Sequence, residues 1–221
     1  MDRTVVIGDI HGCLDSLNNL LDLILPKADT LIFLGDYVDR GPDSRGVVER
    51  LLALQTHHPR IITLKGNHDF MFQHYFEGQE SSLFLRVGGK ETLASYGIQQ
   101  NDSVPLAFIP ATHIHFFREL PLFFENQHAF YVHAGLEPDR HLTLQRPQWC
   151  LWAREKFLNA SFQLGKPIIF GHTVFPHPYI ADDKIGIDTG AVYGGQLTAL
   201  LLPDMEYISV PGELNAPYTA S

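Results

Sequence analysis

The chain has 221 residues, of which 45% are hydrophobic and 19% charged, and its formal net charge is −9. This length and composition fit one globular domain, or one core with an inserted subdomain, and argue against a disordered chain. The negative charge argues against binding of nucleic-acid polymers, which relies on Lys and Arg to neutralise phosphates. No apolar run has the length of a membrane helix, and the start, MDRTVVIGDIHG, shows no export signal. We therefore expect a cytoplasmic protein without membrane contact.

The first third of the chain has the pattern of repeated strand–loop–helix units. Short β-branched runs predict strands over residues 4–8, 30–34 and 61–64, and helical spacing of apolar residues follows the first two. Asp43 or Ser44 can cap the second helix. Strands and helices that alternate at this length predict βαβ units with parallel strand pairing.

Residues 70–127 have a different pattern, rich in aromatic residues and interrupted by prolines, which predicts mostly helices that cover one side of the core. From residue 129 onward the pattern favours strands, in the segments AFYVHAG, PIIFGHT, KIGIDTGAVYGG, QLTALLL and MEYISV. This succession predicts a second sheet and hence a layered α/β sandwich. We expect a single domain over residues 1–211, followed by a loosely held tail over residues 212–221.

Polar side chains follow the predicted strands at the points where these end. Asp9, Asp36 and Asn67 come directly after three successive strands, and His133 and His172 follow two later ones. In an open parallel sheet, ligands gather beyond the carboxyl ends of the strands, so we expect these side chains to meet at one rim. A mixture of oxygen and nitrogen ligands suits Mn, Fe or Zn better than Ca. The pattern therefore predicts a transition-metal site.

The blocks GDIHG, GDYVDRG, GNHD, HAG and GHT, in this order, resemble the calcineurin-type metallophosphoesterase superfamily. More narrowly they resemble its serine/threonine phosphatase branch, which includes small bacterial and phage phosphatases and diadenosine tetraphosphate hydrolases. The motif-bearing segments span residues 5–190. One departure is GNHD, where that branch usually has GNHE. The resemblance implies a four-layer αββα sandwich, with two mixed sheets flanked by helices.

The resemblance also implies a dinuclear metal centre. Mn²⁺ is the favoured ion, and Fe, Zn, Ni and Co remain possible because ligand type alone does not select among them. Six side chains would hold the two ions, the first two on one ion, the third between both and the last three on the other: Asp9, His11, Asp36, Asn67, His133 and His172. Asp69, in the same block as Asn67, is interpreted as a helix cap and not as a ligand.

The catalytic roles follow from the same resemblance. A hydroxide that bridges the metals would attack phosphorus, and His68 would act as the general acid that protonates the leaving oxygen. Asp39 would hold the His68 imidazole and favour its charged form. Arg40 and Arg154 would grip the phosphate with their planar guanidinium groups.

The resemblance leaves the substrate open. The first expectation is a phosphatase that acts on phosphate monoesters in phosphoproteins or phosphopeptides, with serine/threonine or dual specificity. The alternative is a bis(5′-nucleosyl)-tetraphosphatase that acts on a dinucleoside polyphosphate, and a further alternative is a non-catalytic phosphate- or metal-binding scaffold. A nucleotide enzyme needs a base-binding pocket, which residues 70–127 could supply, whereas a phosphoprotein enzyme needs an open groove.

Overall fold

A computed structural model describes residues 3–58, 60–79, 82–99 and 105–215. The strands within this part of the chain are β1 (Thr4–Ile7), β2 (Thr30–Phe33), β3 (Ile61–Thr63), β4 (Phe123–Glu125), β5 (Phe130–Val132), β6 (Ile168–Phe170), β7 (Tyr179–Ile180), β8 (Lys184–Gly186), β9 (Asp188–Thr189), β10 (Gln196–Leu202) and β11 (Glu206–Pro211). The α-helices are α1 (Leu14–Ile24), α2 (Ser44–His57), α3 (Asn67–Phe76), α4 (Ser82–Phe84), α5 (Lys90–Ser95), α6 (Ala111–Glu119), α7 (Pro147–Trp152) and α8 (Glu155–Leu158), and a π-helical turn (Leu85–Gly89) joins α4 to α5.

The first sheet confirms the predicted βαβ units. Its order is β11-β10-β1-β2-β3, with β9 beside β10, and β1, β2 and β3 run parallel. The last two strands of the chain pair antiparallel within this sheet, β10 beside β1 and β11 beside β10. The sequence pattern had assigned them to the second sheet, and that assignment is wrong. Strand β10 is buried along six of its seven residues, which suits a central position, but an apolar run does not identify its partner strand.

The second sheet has the order β4-β5-β6-β8-β7. Strands β5, β6 and β8 run parallel, so their carboxyl ends lie at the same edge. Helices α7 and α8 lie between β5 and β6 in the chain, and they interrupt a region where the sequence pattern favoured strands. As in the first sheet, a helical crossover makes the parallel pairing possible.

Alternation along the strands divides the interior into three apolar layers. On β1, Val5 and Ile7 pack against the helices that cover the first sheet, whereas Val6 faces the second sheet. On β6, Ile169 faces the first sheet and Ile168 packs against α7 and α8. Three apolar layers between four layers of secondary structure confirm the αββα sandwich.

Residues 70–127 are mostly helical where the structure describes them, as predicted, with β4 as the exception. Their aromatic side chains form a cluster in which Phe72 contacts Phe76 and Phe117 edge to face and stacks on Phe84, at ring-centroid distances of 5.2–5.7 Å. No helix of the described ranges is both long and apolar enough to cross a bilayer. The predicted tail lies partly outside the described residues, from 216 to 221.

The interface between the two sheets generates a stability prediction. We expect Ile32→Ala to lower the free energy of unfolding by about 2–5 kcal/mol, because the fully buried side chain leaves a cavity between the sheets. Urea titration followed by circular dichroism measures the change. Ile180→Ala is the matched control, because Ile180 is 64% exposed and its truncation changes stability by less than about 0.5 kcal/mol. Equal losses in the two variants would contradict the packing described here.

Candidate active site

The strand-end side chains predicted to converge do meet at one rim of the sandwich. The His172 amide donates to Asp9 Oδ2 at 3.0 Å, and Asn67 Oδ1 lies 2.9 Å from His133 Nε2 and 3.1 Å from His172 Nδ1. Asp36 Oδ2 lies 3.5 Å from His133 Nε2. Both sheets contribute, since β1, β2 and β3 end in the first three motifs and β5 and β6 end in the last two. The structure therefore brings the predicted side chains into one cluster.

The chain turns sharply at this rim. Several predicted site residues adopt a left-handed backbone although none is glycine, with φ values between 48° and 75°: His11, Asp36, Asp39, Arg40 and His172. Such conformations cost free energy in non-glycine residues and persist only where surrounding contacts enforce them. Their concentration in one place is typical of a functional site.

Asp69 enforces part of this geometry, and its predicted role as a cap is confirmed. Its Oδ2 accepts the amides of Gly66 at 2.9 Å and Asp36 at 2.8 Å, and its Oδ1 accepts the amide of Tyr37 at 3.0 Å. The carboxylate thus joins the start of α3 to the turn after β2. Helix α3 begins at Asn67, which places this side chain in the first turn of the helix.

The hydrogen bonds fix which imidazole nitrogens can bind a cation. His11 Nδ1 lies 2.8 Å from the carbonyl of Val38, and His133 Nδ1 lies 3.0 Å from the carbonyl of Leu34. A carbonyl only accepts, so both histidines carry their proton on Nδ1 and present an Nε2 lone pair. His133 Nε2 faces Asn67 Oδ1, another acceptor, at 2.9 Å. Two acceptor atoms at this distance have the spacing of neighbouring ligands on one cation, and this donor set fits a divalent metal.

Asp36 is shared by two clusters of potential ligand atoms. One cluster consists of His11, Asp36 and His68, the other of Asp36, His133 and His172, and the atoms of each lie within 4.8 Å of one another. Two clusters that meet at one carboxylate have the arrangement of a dinuclear centre with a bridging ligand. His68 is placed in the first cluster by distance alone, because its Nδ1 is occupied by Asp39.

A further carboxylate, Asp188, lies at this site, and the sequence reasoning did not assign it. It is buried, follows β8 by two residues and lines the same cleft as Asp36. Its charge is one of the causes that raise the pKa of Asp9, after burial. Asp9 Oδ1 is buried without a hydrogen-bond partner among the described residues, which again fits a cation. The segment IGID repeats the strand-then-aspartate pattern of the first two motifs, so the signal was present.

The cost of burying charge dominates the electrostatics of this cluster. Burial raises the pKa of Asp36 to about 7 and raises that of Asp9 well above its usual range. Burial likewise lowers the pKa of His133 to about 4 and lowers those of His11 and His172. By itself the pocket therefore favours neutral carboxyl and imidazole groups. A bound divalent cation reverses this balance for the carboxylates.

His68 and Asp39 form the predicted pair, with His68 Nδ1 at 2.6 Å from Asp39 Oδ2. Thr92 completes the arrangement, since its hydroxyl donates to Asp39 Oδ1 at 2.7 Å and accepts the Asp39 amide at 2.8 Å. Asp39 was expected to favour the charged form of His68, but the surroundings of the imidazole act in the opposite direction. Burial, followed by the positive charge of Arg40, lowers the pKa of His68 well below its usual range.

Arg40 and Arg154 both line a cleft of about 1060 Å³ that opens above the metal-ligand cluster. Arg40 Nη1 lies 2.6 Å from His11 Nε2, and its guanidinium lies 5.6 Å from the ring centroid of Tyr193. Arg154 Nε donates to His172 Nε2 at 3.3 Å. Both guanidinium groups are therefore adjacent to predicted metal ligands, as the clamp interpretation requires. The apolar and aromatic side chains along the cleft include Met71, Val87 and Trp152.

Comparison with known proteins finds relatives over almost the whole chain. Residues 2–192 match the family model described as calcineurin-like phosphoesterase. A bis(5′-nucleosyl)-tetraphosphatase PrpE [asymmetrical] of Bacillus cereus (strain ATCC 14579) is 30% identical over 97% of this chain and 96% of the relative. The protein of the same name from Bacillus thuringiensis (strain Al Hakam) is 28% identical over 95% of this chain and 94% of the relative.

Solved structures agree with these relatives. A crystal structure described as that of a candidate diadenosine tetraphosphatase superposes with a TM-score of 0.72 at 28% identity, covering 96% of this chain and 94% of that one. A serine/threonine phosphatase from Saccharomyces cerevisiae shares the fold, with a TM-score of 0.63 at 18% identity, covering 99% of this chain and 81% of that one. The chain therefore belongs to the calcineurin-like phosphoesterase family and is a metal-dependent hydrolase of phosphoric esters.

Proposed function

We propose that the rim cluster holds two divalent metal ions, with Mn²⁺ the favoured species. Asp9 and His11 would bind one ion, Asp36 would bridge both, and the remaining ligands would bind the other: Asn67, His133 and His172. The Nε2 lone pair of His133 supports this assignment, as does the buried Asp9 Oδ1, which has no hydrogen-bond partner among the described residues. Divalent ions held by these residues would supply Lewis acidity, which activates water near neutral pH and neutralises charge on the phosphoryl oxygens.

The chain's own residues would then bind the substrate and move a proton. Arg40 and Arg154 hold the phosphate from the cleft side, next to the metal ligands. His68 donates a proton to the leaving oxygen from Nε2, while Asp39 holds Nδ1. An arriving phosphate brings negative charge beside an imidazole whose pKa is lowered by burial and by Arg40. That charge acts against these two effects and favours the protonated form of His68 in the complex.

The substrate that these observations favour is a dinucleoside polyphosphate of the bis(5′-nucleosyl)-tetraphosphate type. The observation that carries this proposal is that relatives named as tetraphosphatases align over almost the whole of both chains. A cleft of about 1060 Å³ with Trp152, Met71 and Tyr193 along its walls also has room for groups beyond one phosphate. The oxygen of water would bond to the attacked phosphorus, and the P–O bond to the leaving phosphate would break. The leaving phosphate oxygen would take the proton from His68, so one nucleotide keeps the attacked phosphate and the other departs.

The hypothesis of a phosphoprotein phosphatase, which the motifs alone favoured, becomes the second candidate function. Its support is a shared fold with a serine/threonine phosphatase at 18% identity, which carries no information about substrate. The hypothesis of a non-catalytic scaffold is not favoured, because the candidate metal ligands, the candidate general acid and the candidate phosphate-binding arginines all lie at one cleft.

A comparison of kcat/KM for the two substrate classes distinguishes the two candidate functions. We expect kcat/KM for diadenosine tetraphosphate to exceed that for a phosphoserine peptide by about tenfold or more, a difference of about 1.4 kcal/mol in transition-state binding. Both are measured with the same enzyme at the same free Mn²⁺. A preference for the phosphopeptide would reverse the assignment, and hydrolysis of neither substrate nor of p-nitrophenyl phosphate would support the scaffold.

The role of His68 predicts a dependence on the leaving group. We expect His68→Asn to retain Mn²⁺ but to lose about 10²–10⁴-fold in kcat on phenyl phosphate, whose leaving oxygen needs a proton. The loss on p-nitrophenyl phosphate is smaller, because p-nitrophenolate leaves without protonation. His115→Asn, an exposed change on α6, is the control and leaves both rates unchanged. Equal losses on the two substrates would exclude proton donation as the role of His68.

The raised pKa of Asp36 predicts how metal affinity depends on pH. Below about 7 the Asp36 carboxyl of the metal-free protein carries a proton that the ion must displace. Affinity for Mn²⁺ therefore falls as the pH drops, by up to about tenfold per pH unit for each proton displaced. His133 does not contribute in this range, because its pKa is about 4. Calorimetric titration at about pH 6 and about pH 8 measures the change, and equal affinities would contradict it.

A further inference from the structure

The basic residues of the cleft are more numerous than the clamp requires. Of the 16 Lys and Arg residues in this acidic chain, four line the cleft, namely Arg40, Arg86, Lys90 and Arg154. The role of clamping the reacting phosphate accounts for Arg40 and Arg154. Arg86 and Lys90 are exposed, and neither forms an ion pair with a carboxylate among the described residues. Their charges are therefore available to a ligand in the cleft.

The segment that carries Arg86 and Lys90 is hydrogen-bonded to the loop that contains Asp39 and Arg40. The Arg40 amide donates to the carbonyl of Gly88 at 3.0 Å, and the Asp39 amide donates to the Thr92 hydroxyl at 2.8 Å. Gly88 has φ of 115°, and a Cβ there would lie 2.5 Å from Arg40 Cγ, so only glycine permits this approach. Lys90 lies between Gly88 and Thr92, and Arg86 lies two residues before Gly88.

We infer that Arg86 and Lys90 form a binding subsite for the non-reacting phosphates of a polyphosphate substrate, beside the phosphate held by Arg40 and Arg154. This inference rests on the proposed function. A phosphomonoester has one phosphate, and the metals with the two clamping arginines account for its charge. A polyphosphate bridge carries a negative charge on every further phosphate, and these phosphates need cations farther along the cleft.

The position and chemistry of the two residues suit this role. Guanidinium and ammonium groups bind phosphate oxygens by charge-assisted hydrogen bonds, and a solvent-accessible rim lets a long chain enter and leave. Glu91, the chain neighbour of Lys90, also lines the cleft and offsets one of the two added positive charges, so the pair keeps a net charge of about +1. The subsite therefore acts on specificity, by adding affinity for polyphosphates over monoesters, and Arg86 and Lys90 take no part in the bond-breaking step.

The test compares substrates of different phosphate number. Arg86→Ala, Lys90→Ala and the double variant are assayed with Mn²⁺ on diadenosine tetraphosphate and on p-nitrophenyl phosphate. We expect the double variant to lose roughly 10- to 100-fold in kcat/KM on the dinucleotide, mainly through KM, and less than about twofold on the monoester. The matched control is Arg3→Ala/Lys27→Ala, which removes the same charge before β1 and β2, at the opposite ends of these strands. The control leaves both rates unchanged.

Three results would overturn the subsite: equal losses on both substrates, no loss on either, or the same loss in the control. If the wild type hydrolyses p-nitrophenyl phosphate but not diadenosine tetraphosphate, the proposed function fails, and inorganic tripolyphosphate then tests the subsite alone at constant free Mn²⁺. A higher inhibition constant for tripolyphosphate in the double variant, with that for orthophosphate unchanged, retains the subsite. An unchanged constant for tripolyphosphate removes it together with the proposed function.

Discussion

Every polar group of Asp36 contacts another polar group of the site, and the geometry of the site depends on this residue. Its amide donates to Asp69, and its carbonyl accepts the amides of Ile10 and His11 at 3.2 and 2.8 Å, which joins the exits of β1 and β2. Its Oδ1 accepts the His68 amide at 2.9 Å, while its Oδ2 faces the imidazoles of both ligand clusters. One left-handed residue thus connects the turn, the helix that carries the proposed acid and the centre of the proposed metal pair.

The electrostatics of the molecule follow from how this cluster is enclosed. Burying carboxylates without cations is costly, and the raised pKa values of Asp9 and Asp36 express that cost. Buried clusters of ionisable groups with strongly shifted pKa values are typical of ligand-binding and catalytic sites, and they do not stabilise the fold. The cleft above the cluster adds cationic side chains to a chain whose net charge is −9. Attraction of phosphate is therefore local, and the remaining surface repels extended polyanions.

The covering helices have two functions in this arrangement. Their aromatic cluster around Phe72 completes the apolar layer on the outer face of the first sheet. Their connecting turn, from Leu85 to Gly89, packs against the loop that follows β2 and brings further side chains to the cleft. Thr92 belongs to the same segment and orients Asp39 through a reciprocal pair of hydrogen bonds. The region predicted as helical cover, which the sequence analysis also named as a source for a base-binding pocket, thus forms part of the wall of the cleft.

Local sequence patterns were enough to predict the layered α/β fold, the parallel βαβ units and the residues at the strand ends, because period, strand length and motif are local properties of the chain. Asp188 had the same local signal and could have been found. The return of β10 and β11 to the first sheet, and the support that Thr92 gives Asp39 across 53 residues of chain, appear only in the folded protein. The same holds for the direction in which the pKa of His68 moves. Strand partners, long-range hydrogen bonds and burial depend on which distant segments pack together, and local patterns do not specify that choice.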